Sequence, residues 1–175
     1  PRFGDNLRRA GRAPSRGVLR LETVQAGSDA AAQLAIPAGS PLVILETVGL
    51  ADGQPVSVGE NRFPADRLPG IAEALECSFA DPDTASITRA LERCGVASYA
   101  RSATRVRATL PDAAVARHLM IPPGTPVLET VALDEAEIGP VNLATAWFAG
   151  TRVSLVVDTP RLTSPDGGHA AVPQD

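Results

Sequence analysis

Arginines and one polar helix start are the main chemical resources of this chain. Arg2, Arg62, Arg101 and Arg105 carry guanidinium forks suited to phosphate or phosphonate oxygens. Each alone is more often a solvated surface residue. Asp83, Thr84 and Ser86 open a short helical pattern, where unpaired N–H groups and the positive end of the helix attract an oxyanion. The same three residues serve as plain helix caps in the alternative reading. His118, beside Arg117, reads as a surface or subunit-contact residue, and His169 lies near the C-terminus. Asp134, Glu135 and Glu137 read as a solvated hairpin turn, since no pattern of neutral ligands accompanies them. Cys77 and Cys94 form no C-x-x-C pair and read as free, buried or partly buried thiols in a reducing cytoplasm. No G-x-G-x-x-G, Walker-type, H-E-x-x-H or G-x-S-x-G string occurs. These residues offer no credible nucleophile, metal set or base, so catalysis is not expected.

Composition narrows the partners. Sixteen arginines and no lysine face 20 acidic residues, for a net charge of −4. A free-standing nucleic-acid binder shows a basic excess that displaces phosphate counterions, so the chain is a poor candidate for touching DNA itself. The 175 residues are 44% hydrophobic and 21% charged, as in a soluble globular protein. A chain of this length buries roughly 70% of its unfolded surface, enough to fold without disulfide or metal. Aromatic residues make up only 3%, which leaves the core to Leu, Val, Ile and Ala. No apolar run approaches membrane-spanning length, and the first residues lack the pattern of a signal peptide. The chain opens at Pro1 without methionine, which suggests a missing N-terminal portion.

The elements that would position those side chains come in two copies. Ile36-Pro37-Ala38-Gly39-Ser40-Pro41 returns as Ile121-Pro122-Pro123-Gly124-Thr125-Pro126, 85 positions later. The same spacing relates Pro55 to Pro140, Val56 to Val141, Phe63 to Phe148 and Arg67 to Arg152. Arg67 and Arg152, at equivalent places, are expected to tie down backbone or an acidic partner within the fold. The tripeptide Glu-Thr-Val also recurs, at Glu46 and Glu129, but two positions out of step. A compensating two-residue slide is therefore expected in the second hairpin, which would keep every side chain on its own sheet face.

The pattern predicts a short helix at 3–12, a strand at 18–25, and a helix through Ala35 capped by Ser28 or Asp29. A hairpin of 42–50 and 56–63 turns at Asp52-Gly53. Helices at 71–77 and 85–94, a long strand at 96–110 and a helix from Asp112 to near Met120 follow. Strands 127–133 and 141–148, a last strand at 153–157 and a disordered tail complete the pattern. The fold class is α+β: an antiparallel sheet of about six strands with short helices and internal duplication. The domain runs over 1–158, with 159–175 as the tail.

The I-P-x-G-x-P units, the ADGQPVSVGENRFPADRLPG segment, the Ser86-Ile87-Thr88 tripeptide and the W-F-A-G-T-R-V close together resemble the UTRA domain. That domain is the effector-binding half of GntR-superfamily repressors of the HutC/FarR subfamily. RFGDNL at the start and FAGTRVSLVV near the end look most like the PhnF branch, which is associated with phosphonate or phosphate use. The resemblance implies a chorismate-lyase-like fold, a homodimer, a cytoplasmic location and a winged helix-turn-helix domain before Pro1. It also implies a site for a small anionic effector. Carried over by position, Gly4 follows Phe3 where relatives have Ser or Thr, Ser86 matches the Ser of an S-x-Y motif, and Thr88 stands at the Tyr. Gly59 and Asn142 stand where relatives often have Glu, while Thr47 and Gly49 lack the arginines of sugar-phosphate sensors. The expected ligand-binding set is therefore Arg2, Phe3, Gly4, Arg62, Ser86, Thr88, Arg101, Arg105, Asn142 and Trp147. Two alternatives stand beside the sensor: a degenerate dimerisation module without ligand, and a chorismate-lyase-like enzyme.

Overall fold

Six strands form one antiparallel sheet. They are β1 (Pro14–Gln25), β2 (Pro41–Ala51), β3 (Gln54–Pro64), β4 (Ala100–Thr109), β5 (Val127–Ala136) and β6 (Gly139–Ala149). Their order across the sheet is β1-β2-β3-β6-β5-β4. Among the described residues, short helices accompany them at α1 (Ser28–Leu34), α2 (Ile71–Ser78), α3 (Ile87–Arg93) and α4 (Ala113–Leu119), and residues 7–9, within the expected first helix, are helical too. The structure is a computed structural model and describes residues 7–9 and 11–154. The expected tail at 159–175 and most of the expected last strand lie outside those residues. Val153 and Ser154 are described, and they are not in a strand.

The duplication is carried into the hydrogen-bond ladder at a constant spacing. Gly49 pairs with Ser57 and Leu50 with Pro55 around a bulge in the first hairpin. Asp134 pairs with Asn142 and Glu135 with Pro140 around the same bulge in the second. Ile44 lies opposite Arg62, and Glu129 lies opposite Trp147. Strand β5 therefore keeps the spacing of β2 throughout, and the two-residue slide inferred from Glu-Thr-Val does not occur. Glu46 corresponds in space to Val131. The tripeptide match is fortuitous, because main-chain pairing and the shared bulge fix the register. Between the halves, β3 pairs with β6, and Glu60 faces Thr145, its own repeat counterpart. The approximate twofold axis of the duplication passes through that pair.

One face of the sheet carries α1 and α4, each over the other unit's half. Ala31 and Leu34 of α1 pack with Leu42 and with Leu143 of β6. Val115, Ala116 and Leu119 of α4 pack with Val58 of β3, Val127 and Ala149. The opposite face is covered over β1–β3 by α2 and α3, where Val43, Leu45 and Phe63 meet Ile71, Leu75 and Leu91. Phe63, Leu45, Leu75 and Leu91 are fully buried, each worth about 2–3 kcal/mol of transfer free energy. Among the described residues, no helix covers that face over β4–β6, and β4 is exposed along nearly its whole length.

The two arginines expected to tie down backbone do so symmetrically. Arg67 donates from Nη1 to Leu34 O (2.9 Å) and Pro140 O (2.5 Å) and from Nη2 to Ala35 O (3.0 Å). Arg152 donates to Leu119 O (2.6 Å), Pro55 O (2.7 Å) and Met120 O (3.1 Å). Each satisfies carbonyls at the end of its own unit's helix and one in the other unit's hairpin. Ala35 and Met120, left-handed at φ 50° and 52°, turn those carbonyls outward.

Helix α1 starts one residue earlier than expected. Gly27 is its N-cap and supplies no side-chain bond, so neither Ser28 nor Asp29 caps it. In α4, Asp112 accepts from Val115 N at 2.7 Å, as the sequence suggested.

Candidate functional site

Strand parity decides which candidate residues can meet. Asn61 lies on the α2–α3 face with Leu45 and Phe63, whereas Arg62 lies opposite Ile44 on the α1–α4 face. Arg105 lies opposite Val131, and Trp147 packs beside α4, both on that second face. Arg62, Arg105 and Trp147 are therefore not brought to the Ser86 helix, and the expected set is split between the two sheet faces. Arg2, Phe3 and Gly4 lie outside the described residues.

On the α2–α3 face the sheet holds a buried polar cluster. Asp134, Asn142, Asn61 and Thr47 are 2%, 1%, 7% and 4% exposed. Asn142 Nδ2 donates to Asn61 Oδ1 (3.1 Å) and to Asp134 Oδ2 (3.0 Å). Arg101 Nε donates to Asp134 Oδ1 at 2.9 Å. Because both partners of Asn142 Nδ2 are acceptors, the amide orientation is fixed, and its Oδ1 is buried without a hydrogen-bond partner. Asp134 is thus no part of a solvated turn. It lies within β5, and strand alternation places it with buried Ala132 on the inward face, opposite Asn142. Gly59 adjoins the cluster, with room above Thr47 where a Cβ would meet Thr47 Oγ1 at 3.4 Å.

The helix start is built as a cap. Ser86 Oγ accepts from Arg89 N at 3.3 Å, and Thr84 Oγ1 bonds Asp81 Oδ2 at 3.1 Å. Thr88 Oγ1 and Tyr99 Oη share a 2.9 Å hydrogen bond, and Tyr99 and Ile87 pack on the core beneath α2. Asn61, Thr47 and Tyr99 were not in the expected set. Asn61 was findable from its place two residues before core Phe63, hence on the same face.

The α1–α4 face carries a separate charged array. Arg20 donates to Glu22 (2.6 Å) and Glu46 (2.5 Å) and lies 3.5 Å from Glu60. Arg62 pairs with Glu60 Oε1, a contact without well-directed hydrogen-bond geometry. Burial pushes the Glu60 carboxyl above its ordinary range; Arg62 and Arg20 pull it back, and Glu46 adds to the rise. Across the sheet, Arg107 Nε donates to Glu129 at 2.6 Å and Trp147 Nε1 donates to its other oxygen at 3.1 Å. The Arg107 bond, helped by Trp147, holds that carboxyl below its usual range.

Two open clefts flank the helices of this face. One of 490 Å³ lies between α1 and the sheet, with Arg62 on its wall. One of 360 Å³ lies beside α4, lined by Asp112 and Arg117 among others. Neither includes Ser86 or Thr88. Cys77 is exposed rather than buried, and Cys94 is partly buried; both are free. His118 is half-buried on α4. Among the described residues, no group of three His, Cys, Asp or Glu could hold a metal, and no helix is long and apolar enough to cross a membrane.

The profile of the UTRA domain matches residues 9–154. This chain belongs to the UTRA domain family. An uncharacterized HTH-type transcriptional regulator of Rhizobium meliloti (strain 1021) is 31% identical over 159 residues, 90% of this chain. The chain spans 63% of that relative's length. Among solved structures, PhnF from Mycobacterium smegmatis superposes with a TM-score of 0.81 at 20% identity, covering 92% of this chain and 69% of PhnF. The C-terminal domain of the histidine utilization repressor from Pseudomonas syringae pv. tomato str. DC3000 gives 0.70 at 22% identity, covering 85% and 99%. These matches are regulator domains rather than enzymes, so the lyase alternative falls away and the UTRA fold stands as expected.

Proposed function

We propose that this UTRA domain is the effector-sensing half of a GntR-type transcriptional repressor and binds a small anionic metabolite on its α2–α3 face. The observation that carries the reading is the buried cluster of Asp134, Asn142 and Asn61. Burying such groups costs free energy unless they are paired, yet Asn142 Oδ1 has no hydrogen-bond partner. A sheet selected for stability alone has apolar side chains there. A ligand with a hydrogen-bond donor for Asn142 Oδ1 and an anionic group for Arg101 completes the cluster. Arg101 spends Nε on Asp134, and its side chain is 54% exposed, so the fork has further N–H donors to offer.

The DNA-binding partner is a winged helix-turn-helix domain joined before Pro1. The effector acts by binding one arrangement of a homodimer better than another. An exposed antiparallel edge strand such as β4 can pair with its own copy about a twofold axis. The protein works in the cytoplasm in this reading.

Calorimetric titration with phosphonates, phosphate esters and small carboxylates tests the proposal. Saturable binding that weakens at least tenfold in Arg101→Ala and in Asn142→Leu supports it. Silence across the panel, with the protein folded, overturns it. The second reading, a dimerisation module that has lost its ligand, is favoured by one observation: neither open cleft reaches Ser86 or Thr88.

A further inference from the structure

The duplication supplies an internal control for the 490 Å³ cleft beside α1. Its lining residues Ala30, Leu42, Ile44 and Arg62 correspond, at the repeat spacing, to Val115, Val127, Glu129 and Trp147. In the second unit that place is filled. The indole of Trp147 packs with the cluster of Val115 and Val127, and its Nε1 is held by Glu129. In the first unit the indole's counterpart is Arg62, which pairs with Glu60. The two helices are held to the sheet by the same Arg67 and Arg152 bonds to equivalent carbonyls. The frame is therefore alike in both units, and only the filling differs.

We propose that this cleft is a second binding site, on the opposite sheet face from the effector cluster, for a planar uncharged aromatic molecule of about indole size. Leu42 and Ile44 give it an apolar floor. Arg62 lines the cleft with its side chain 31% exposed, and a guanidinium offers a flat face on which a ring can stack. Gln25, Ser28 and Gln33 at the rim suit one polar edge. An anion is disfavoured, because it would compete with Glu60 for Arg62 while facing Asp29 at the mouth. Dispersion and ring stacking, both geometry-dependent, give such a site preference for flat ligands.

The test is a calorimetric and NMR titration of the whole chain with indole, and in parallel with indole-3-acetate. Saturable indole binding, at least threefold tighter than the acid, is expected. Arg62→Trp rebuilds the filling of the second unit and should weaken indole at least tenfold while leaving circular dichroism unchanged. Ala30→Leu, which fills the cleft from the helix side, should do the same and serves if Arg62→Trp fails to fold. Neither variant should alter binding of the anionic panel, whose failure would bear only on the effector cluster. No saturable indole binding, tighter binding of the acid, or binding unchanged in both variants overturns the proposal.

Discussion

Arg67 and Arg152 make the same set of bonds in opposite directions across the molecule. Each caps its own helix at Leu34 and Ala35 or Leu119 and Met120, then reaches the proline carbonyl of the other unit's hairpin, Pro140 or Pro55. Charged donors to carbonyls are worth about 1.5–3 kcal/mol each before solvent screening, and both side chains are partly exposed. Arg67→Ala and Arg152→Ala should each lose about 2–4 kcal/mol of stability. Thermal or urea unfolding measures this. Lysine in either place should recover less than half, since a single ammonium cannot serve three carbonyls of fixed position.

Helix starts offer a second check. Gly27 and Asp112 share nearly the same backbone, φ −69° in both and ψ 162° and 172°. Only Asp112 caps, and a Cβ on Gly27 would meet nothing within 4 Å. Asp112→Ala should cost about 1 kcal/mol, and Gly27→Asp should gain roughly 0.3 kcal/mol. Chemical denaturation with unchanged m-value reads both. A loss of stability in Gly27→Asp would refute the equivalence of the two starts.

Acid and base act in opposite senses on this fold. Arg107 holds Glu129 low, and Arg12, with the Ala13 N–H, holds Asp52 low. A depressed carboxyl adds stability that is present above its unfolded value and is lost as pH falls through the folded one. Glu60, raised by burial, adds stability that is present below its unfolded value and is lost as pH rises through the folded one. Glu129→Gln should therefore flatten the fall of Tm below about pH 4.3. Glu60→Gln should raise Tm at neutral pH and change little in acid, where the native carboxyl is already protonated. A Glu60→Gln protein that is less stable at neutral pH, yet unaltered in acid, would reverse the assigned sign.

The buried amide network gives a fourth prediction. Asp134→Ala removes the acceptor of Arg101 Nε and one of the two acceptors of the Asn142 amide and should cost about 2–3 kcal/mol. Asp134→Asn keeps one acceptor oxygen and should cost less. Unfolding curves of the two variants rank them directly.

The repeat was legible because turn residues and helix-capping arginines sit at fixed spacing, and each has a local physical reason. The sheet, its hairpins and the roles of Arg67 and Arg152 followed from that. Sheet face was less legible. Arg62 and Trp147 are on the same side as each other but opposite Asn61 and Phe63, which the parity with core Phe63 encodes. The register was misread at Glu-Thr-Val, because short identical strings carry less weight than the ladder and the paired bulges at Gly49 and Asp134. Asp134 itself resembled its solvated neighbours Glu135 and Glu137. It belongs instead to β5, whose extent past Leu133 composition does not reveal, and alternation with Ala132 turns it inward.

The placement of α1 over β6 and α4 over β3 has a consequence for origins. A polypeptide of half this length would carry an apolar helix stripe that its own strands cover only in part. It could satisfy that stripe only by embracing a twin, each lending its helix to the other's strands. Two such units in one chain cover each other's stripes without having to be identical, and Arg62 and Trp147, at equivalent places, show the freedom that this leaves.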